Sequence, residues 1–163
     1  MKAGMKGKGE PGEVRTVARN RRARRDYAIS GTVEAGIVLA GTEVKSLREG
    51  KADLKDAYAV HRGGELFIVG LHISPYGSAS HFNHDARRER KLLLHRREID
   101  RLGVRIRERG YTLIPLELYF FGAHAKLLLG LARGKKQYDN REAIRARQMR
   151  REMRDAARGR KGS

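Results

Sequence analysis

The chain has 163 residues, 39% of them hydrophobic, which is enough for one compact domain with extensions. Lys and Arg outnumber Asp and Glu by 37 to 19, and the formal charge of +18 predicts a polyanionic partner, first of all nucleic acid. The absence of cysteine excludes disulfides and thiolate metal sites. No apolar run has the length of a membrane span or a secretion signal, so we expect a soluble, cytoplasmic protein.

An anionic membrane surface is the rival partner for so basic a chain. A membrane-surface helix needs basic residues on one face and large apolar anchors on the other. The sequence contains no strongly amphipathic basic helix of that kind. We therefore expect no membrane partner.

The amino-terminal residues differ in composition from the rest of the chain. Residues 1–13, MKAGMKGKGEPGE, are rich in Gly and Lys and nearly devoid of apolar side chains, which predicts disorder. Five arginines follow between Arg19 and Arg25.

Period-two alternation begins at Tyr27 and predicts a half-buried strand through Ala35. A second apolar stretch follows at 36–39. Residues 42–50 predict a short helix that Thr42 caps and Gly50 ends. Strands are predicted at 57–61 and 66–69, joined by a hairpin in which a Gly-Gly pair supplies positive φ, at Gly63 and Gly64.

The second half of the domain begins with a polar segment, residues 72–91, which predicts a long functional loop. A helix is predicted over 92–109, because apolar residues recur there at helical spacing, and Gly110 would end it. Two further strands are predicted at 113–121 and 125–132. About six strands and two or three short helices within residues 14–133 favour a small closed β-barrel.

A basic tail follows the barrel. Residues 134–163 hold eleven Lys and Arg against four Asp and Glu. A helical stripe runs through Ala146, Met149, Met153 and Ala156 or Ala157, but it offers too little apolar surface to offset the entropy of ordering. We expect the tail to be disordered when free and helical on a partner.

Four blocks of the sequence carry a resemblance to a known family. Residues 36–52, GIVLAGTEVKSLREGKA, have the pattern Gly, an aliphatic residue, any residue, Leu, any residue, Gly, any residue, Glu-Val-Lys-Ser, an aliphatic residue and Arg. This pattern resembles the signature of the small protein B family, the SsrA-binding proteins of bacterial trans-translation. The blocks NRRARRDY at 20–27, FNHDARRERKLLLH at 82–95 and GKKQYDNR at 134–141 agree with that family in order and spacing.

The resemblance implies a mainly β, OB-like antiparallel barrel with three helices. It implies an RNA-binding adaptor, not an enzyme, that binds the tRNA-like domain of tmRNA (SsrA RNA) and delivers it to stalled 70S ribosomes for rescue and peptide tagging. The family's tail enters the decoding centre and the empty mRNA channel, where it meets rRNA. Alanyl-tRNA synthetase and elongation factor Tu are further expected partners through tmRNA, and we expect a monomer without cofactors.

The residues expected to bind tmRNA lie in or beside the matched blocks. They are Asn20, Arg21, Arg22, Glu34, Lys45, Arg48, Arg87, Arg88, Arg90, Lys91, Leu94 and His95. Glu34 is included because a carboxylate can accept from base amino or 2′-hydroxyl groups, and His95 because its ring can stack or hydrogen-bond.

Structural roles compete with each of these assignments. Asn20 is also suited to a turn or cap. Glu43, Lys45 and Arg48 are also suited to surface ion pairs of little energetic value. Without the resemblance, Glu34 is typical of a solvated strand position, and the charges at 87–91 are typical of a solvated surface.

The tail residues that match the family are expected at the decoding centre and mRNA channel: Gly134, Lys135, Lys136, Tyr138, Asp139, Asn140 and Arg141. Tyr138 stands where many members have His, but its ring can still stack on an rRNA base. Asn140 replaces a common Lys, and Ala86 in the loop replaces a usual Pro. The alternative for the whole tail is a nonspecific basic extension.

His81 and His84 lack a convincing third ligand, so no metal site is predicted.

Two other functions compete with the adaptor. The acids form no catalytic arrangement and no phosphate-binding Gly loop precedes a helix, which disfavours an enzyme acting on RNA. A generic basic β-barrel RNA-binding protein or RNA chaperone remains, and preference for the tRNA-like domain over other RNAs separates it from the adaptor.

Overall fold

The computed structural model describes residues 13–77, 83–108 and 110–161, and only the backbone of residues 135–144 and 159–161. The strands in these ranges are β1 (Val14–Arg19), β2 (Tyr27–Ile37), β3 (Ala52–Asp53), β4 (Tyr58–Arg62), β5 (Glu65–Val69), β6 (His72–Ile73), β7 (Arg90–Leu93), β8 (Tyr111–Phe121) and β9 (His124–Gly134). The helices are α1 (Ala23–Asp26), α2 (Gly41–Arg48), α3 (Arg96–Arg107) and α4 (Lys135–Lys161).

Six antiparallel strands close into a barrel, which confirms the predicted fold class. Their order is β8-β4-β5-β7-β2-β9, and β9 pairs back onto β8 to complete the ring. β1 pairs with the carboxyl-terminal half of β8, and β4 pairs with β8 only at Leu113, near its amino-terminal end. Closure leaves few unpaired strand edges.

The core fills the barrel with alternate residues of the long strands. Ala35 of β2, Leu118 of β8 and Leu127 of β9 are almost fully buried, whereas Glu34 on the opposite face of β2 is exposed. This is the period-two alternation of a sheet with one buried face. A smaller cluster on the outer face packs Ala23 of α1 against Ile114 and Ala132.

Glycines shape two tight places. Gly63 and Gly64 have φ of 60° and 74°, as the predicted β4–β5 hairpin requires. Gly70 has φ of 77°, and a Cβ there would lie 2.5 Å from the carbonyl oxygen of Asp56. Only glycine fits that position without backbone movement.

Several predicted boundaries are wrong. The predicted loop over 72–91 contains β6 at its start and the first residues of β7 at its end. The predicted helix over 92–109 begins only at Arg96, because Leu92 and Leu93 pair with Ile37 and Gly36 in the barrel. β1 was not predicted, since its charged sequence gains strand structure only by pairing with β8.

The tail forms the single helix α4, about 40 Å long for its 27 residues at about 1.5 Å per residue. From 145 to 158 its side chains are exposed, apart from the partly buried Ala146. The expected disorder of the free tail and its helical form on a partner both stay predictions. Residues 1–12, also predicted to be disordered, lie outside the described residues.

No helix in the described part of the chain is both long and apolar enough to cross a membrane.

Candidate nucleic-acid interface

A groove on the outer face of β2 brings three predicted RNA-binding residues together. It has a volume of about 500 Å³ and is lined by residues that include Glu34, Leu94, His95, Leu93 and Lys126. An adjoining depression of about 350 Å³ shares Leu93 and Lys126 and extends toward His124. We call these two connected depressions the Glu34 groove.

Strand pairing explains why these distant residues meet. Gly36 of β2 pairs with Leu93, the last residue of β7. A Cβ on Gly36 would lie 3.2 Å from the Cβ of Leu93, so the missing side chain leaves room for the leucine. The chain then continues extended through His95 before α3 begins. Leu93 is 53% exposed and presents an apolar side chain to the groove.

Two neighbours hold the Glu34 carboxylate. The Tyr119 hydroxyl donates a hydrogen bond to Oε2, and the Lys126 ammonium lies 3.7 Å from Oε1. Glu34 still has 51% of its side-chain surface exposed, whereas Tyr119 is only 8% exposed. Burial raises the pKa of Tyr119, and the hydrogen bond to Glu34 raises it further. Tyr119 therefore stays a neutral donor at physiological pH.

Basic side chains continue the surface beyond the groove. Lys45 is exposed on α2 with its ammonium 5.4 Å from the centre of the Tyr76 ring. The Arg48 guanidinium stacks 5.0 Å from the centre of the Phe120 ring, and Phe120 also lines the groove. Arg87 and Lys91 are exposed as well. These cations are placed to attract phosphates.

Arg90 is not available to RNA, and the prediction that it binds tmRNA is wrong. Its side chain is 0% exposed and donates to the Glu43 carboxylate, to the Leu71 carbonyl at 2.7 Å and to the Ala86 carbonyl at 3.1 Å. Arg88 is 37% exposed and donates to the same carboxylate. The Arg-Arg-X-Arg run of the loop thus alternates between outward and inward side chains, which charge alone does not reveal.

Glu43 is the central acid of this buried ion cluster, and the surface pair considered as its alternative role is not what the structure has. Its side chain is 0% exposed, and it accepts from the Ala40 backbone N–H at 2.8 Å as well as from Arg88 and Arg90. Ala40, not Thr42, is therefore the N-cap of α2. Burial alone would raise the pKa of Glu43, but these hydrogen bonds outweigh it and leave that pKa below its ordinary value. The cluster fixes α2 to the basic loop.

The arginine-rich segment lies far from the Glu34 groove. Tyr27 pairs with Gly134 at the opposite end of β2 from Glu34, about 23 Å away at about 3.3 Å per residue. Arg21 and Arg22 are exposed there. The amide of Asn20 donates to the Pro115 carbonyl at 3.1 Å, which supports its structural role in a turn. The predicted tmRNA residues therefore form two groups, one at each end of the barrel.

The tail leaves the barrel at the arginine-rich end. Gly134 closes β9, and the other predicted decoding-centre residues occupy the first two turns of α4: Lys135, Lys136, Tyr138, Asp139, Asn140 and Arg141. The structure describes their backbone alone. Just before them, the Arg133 guanidinium lies 3.9 Å from the centre of the Tyr111 ring and anchors the end of β9.

His84 is engaged within the protein. Its Nδ1 lies 2.9 Å from the Thr42 hydroxyl and its Nε2 lies 2.8 Å from the Ile73 carbonyl, so Nε2 is the donor and Nδ1 the acceptor. Among the described residues no group of three or more possible metal ligands occurs. His81, the other histidine considered for a metal, lies outside them.

Sequence reasoning missed Leu93 and Lys126, which line the groove, and Tyr119, which donates a hydrogen bond to Glu34. Lys126 carried a signal, because it interrupts an apolar strand. Tyr119 did not, since a tyrosine in an apolar run is typical of a core position. Its role depends on the register that puts Tyr119 opposite Lys126, and Lys126 opposite Gly36.

Comparisons with known proteins agree with the geometry. A sequence model of the SmpB protein family matches residues 17–159. The SsrA-binding protein of Staphylococcus saprophyticus is 56% identical over 138 residues, which cover 85% of this chain and 90% of that protein. The SsrA-binding protein of Staphylococcus aureus is 54% identical over 138 residues, again 85% of this chain and 90% of that protein. A solved structure described as "tmRNA-SmpB: a journey to the center of the bacterial ribosome" matches with a TM-score of 0.63 and 54% identity, over 72% of this chain and 83% of that one. The chain belongs to the SmpB protein family.

Proposed function

We propose that this protein is an RNA-binding adaptor that binds the tRNA-like domain of tmRNA and brings it to stalled ribosomes for trans-translation. Its relatives are SsrA-binding proteins, and the similar solved structure concerns tmRNA, SmpB and the bacterial ribosome. The adaptor carries out no catalytic step and works in the cytoplasm, as a monomer that meets alanyl-tRNA synthetase and elongation factor Tu through tmRNA.

The Glu34 groove is the observation that carries the proposal. It presents a carboxylate inside a surface of a chain with a formal charge of +18. Such a carboxylate repels phosphate but accepts hydrogen bonds from base N–H groups and ribose 2′-hydroxyls. Exposed leucine and histidine beside it suit a base that is unstacked from its helix. A surface meant only to attract phosphates would gain nothing from Glu34.

The two ends of the barrel divide the work. The Glu34 groove, with Leu94, His95, Lys45, Arg48, Arg87, Arg88 and Lys91 in or near it, contacts the tRNA-like domain. The tail, including Tyr138 and its neighbours on α4, enters the decoding centre and the vacant mRNA channel. Arg21 and Arg22 lie at the end of the barrel where the tail begins and extend the basic surface toward the RNA. Asn20 holds the turn beside them through its hydrogen bond to the Pro115 carbonyl.

A gel-shift titration tests the function. The full chain meets the tRNA-like domain of tmRNA or an unrelated hairpin of equal length, at physiological salt, since affinities for RNA depend strongly on salt. We expect a clear preference for the tRNA-like domain. Equal affinities would favour a generic RNA-binding barrel or RNA chaperone instead. Analysis of the bound RNA for cleavage or modification tests the absence of a catalytic step.

A further inference from the structure

The Glu34 carboxylate accepts a hydrogen bond from a tyrosine that is almost fully buried. Tyr119 lies on the outer face of β8, between the core residues Leu118 and Phe120, yet it is only 8% exposed. Its hydroxyl donates to Glu34 Oε2 across the intervening strand β9. Buried tyrosines usually place the hydroxyl on a partner, and here that partner is the one acidic side chain from β2 that lines the groove.

The register brings the three charged and polar groups into one array. Tyr119 pairs with Lys126, and Lys126 pairs with Gly36, so the three residues cross the strands β8, β9 and β2 in line. Glu34 lies two residues from Gly36 on the same face. The Glu34 carboxylate reaches over β9, where it meets the Tyr119 hydroxyl and the Lys126 ammonium.

We propose that Tyr119 is a positioning residue of the groove, which holds the Glu34 carboxylate so that its free acceptor positions face donor groups of an unstacked nucleotide. This inference rests on the proposed function. An ionised carboxylate has about four acceptor positions. The Tyr119 hydroxyl occupies one of them on Oε2, and the Lys126 ammonium is an ion-pair neighbour 3.7 Å from Oε1. Glu34 keeps 51% of its side-chain surface exposed and lines the groove together with Leu93 and His95, so acceptor positions remain for a ligand. A carboxylate fixed in this way accepts a hydrogen bond without first losing rotamer freedom.

The ligand chemistry is a nucleotide with N–H or O–H donors near its edge. A base with adjacent donors would bind both carboxylate oxygens, and a ribose would offer its 2′-hydroxyl. Phosphate oxygens are acceptors only, so they cannot hydrogen-bond to the Glu34 carboxylate. A tRNA-like domain made with 2′-deoxy positions separates the two donor types, because only recognition of ribose is lost with it.

A double-mutant cycle on the full chain tests the proposal. The variants are Tyr119→Phe, Glu34→Gln and the pair together, and binding to the tRNA-like domain is the readout. We expect Tyr119→Phe to weaken binding about tenfold in the wild-type background, which corresponds to about 1.4 kcal/mol. In the Glu34→Gln background the same change should have little effect, because the group that Tyr119 positions has already lost its charge.

Controls separate positioning from a merely structural role. Tyr58→Phe is the matched control, since Tyr58 is 46% exposed and lines a different depression. Glu34→Asp keeps the charge but shortens the reach to Tyr119, so it should weaken binding without any change at Tyr119 itself. This variant keeps the proposal testable if Tyr119→Phe does not fold.

Equal losses from Tyr119→Phe in both backgrounds would overturn the proposal, as would an unchanged affinity in the wild-type background. If the wild-type chain itself shows no preference for the tRNA-like domain, the proposed function fails, and that result is distinct from a wild-type preference that Tyr119→Phe leaves intact.

Discussion

Replacing Glu43 by Gln tests the buried ion cluster that joins α2 to the basic loop. The change preserves the size of the side chain but removes its charge. Arg90, which is 0% exposed, then loses its counter-charge, and the new amide NH2 replaces one carboxylate oxygen and faces a guanidinium group that is also a donor. Breaking a buried pair from one side costs about 3–5 kcal/mol.

That loss is a large part of the stability of a small domain, which is typically about 5–15 kcal/mol. The chain has no tryptophan and six tyrosines, so urea unfolding followed by tyrosine fluorescence or near-ultraviolet circular dichroism gives the free energy. Glu49→Gln is the matched control, because Glu49 pairs with Lys51 at the surface, 45% exposed. We expect it to cost less than about 1 kcal/mol.

The pH dependence gives a second readout. Because the pKa of Glu43 is lowered in the folded state, its contribution is present above its ordinary pKa of about 4.3 and is lost as pH falls through the lowered value. The difference between wild type and Glu43→Gln should therefore shrink in acid. A Glu43→Gln loss no larger than that of Glu49→Gln at pH 7 would refute the reasoning.

Three further results follow from the structure. Arg87→Ala should weaken RNA binding and reduce the slope of log affinity against log salt by about one, whereas Arg90→Ala should lower the free energy of unfolding, as urea titration measures. Gly70→Ala should destabilise the fold by more than about 1 kcal/mol, because a Cβ at this positive φ would meet the Asp56 carbonyl. Gly63→Ala, which also has a positive φ but open space around its Cβ, is the control, and thermal unfolding measures the stability of both variants. The pKa of Tyr119 is raised in the folded state, so its contribution to folding stability is intact below its ordinary pKa of about 10 and is lost as pH rises further. The difference in stability between wild type and Tyr119→Phe should therefore decline only in base.

The barrel was predictable because its long strands carry local signals. The alternation from Tyr27 to Ala35 and the Gly63-Gly64 turn both follow from side-chain periodicity and backbone conformation, and both appear in the structure. The start of α3 was not predictable in this way. Leu92 and Leu93 precede a helical pattern, and only pairing with β2 makes them strand.

The candidate site was partly predictable for a similar reason. Resemblance to a family identified Glu34, Leu94 and His95, which the structure brings to one groove. It did not separate Arg87, which is exposed, from Arg90, which is buried, because both carry the same charge in one loop. The direction of each side chain depends on where the loop meets Glu43, a contact across 47 residues of sequence.

We propose that the barrel binds the tRNA-like domain while the tail contacts the ribosome. The most direct measurement compares full-chain Glu34→Gln and Tyr138→Ala for binding to the tRNA-like domain and for peptide tagging on ribosomes stalled without a stop codon. We expect Glu34→Gln to weaken both, and Tyr138→Ala to leave binding unchanged but reduce tagging, since an aromatic stack on rRNA is worth about 1–3 kcal/mol. A large loss of binding by Tyr138→Ala, or unchanged binding by Glu34→Gln, would contradict this division.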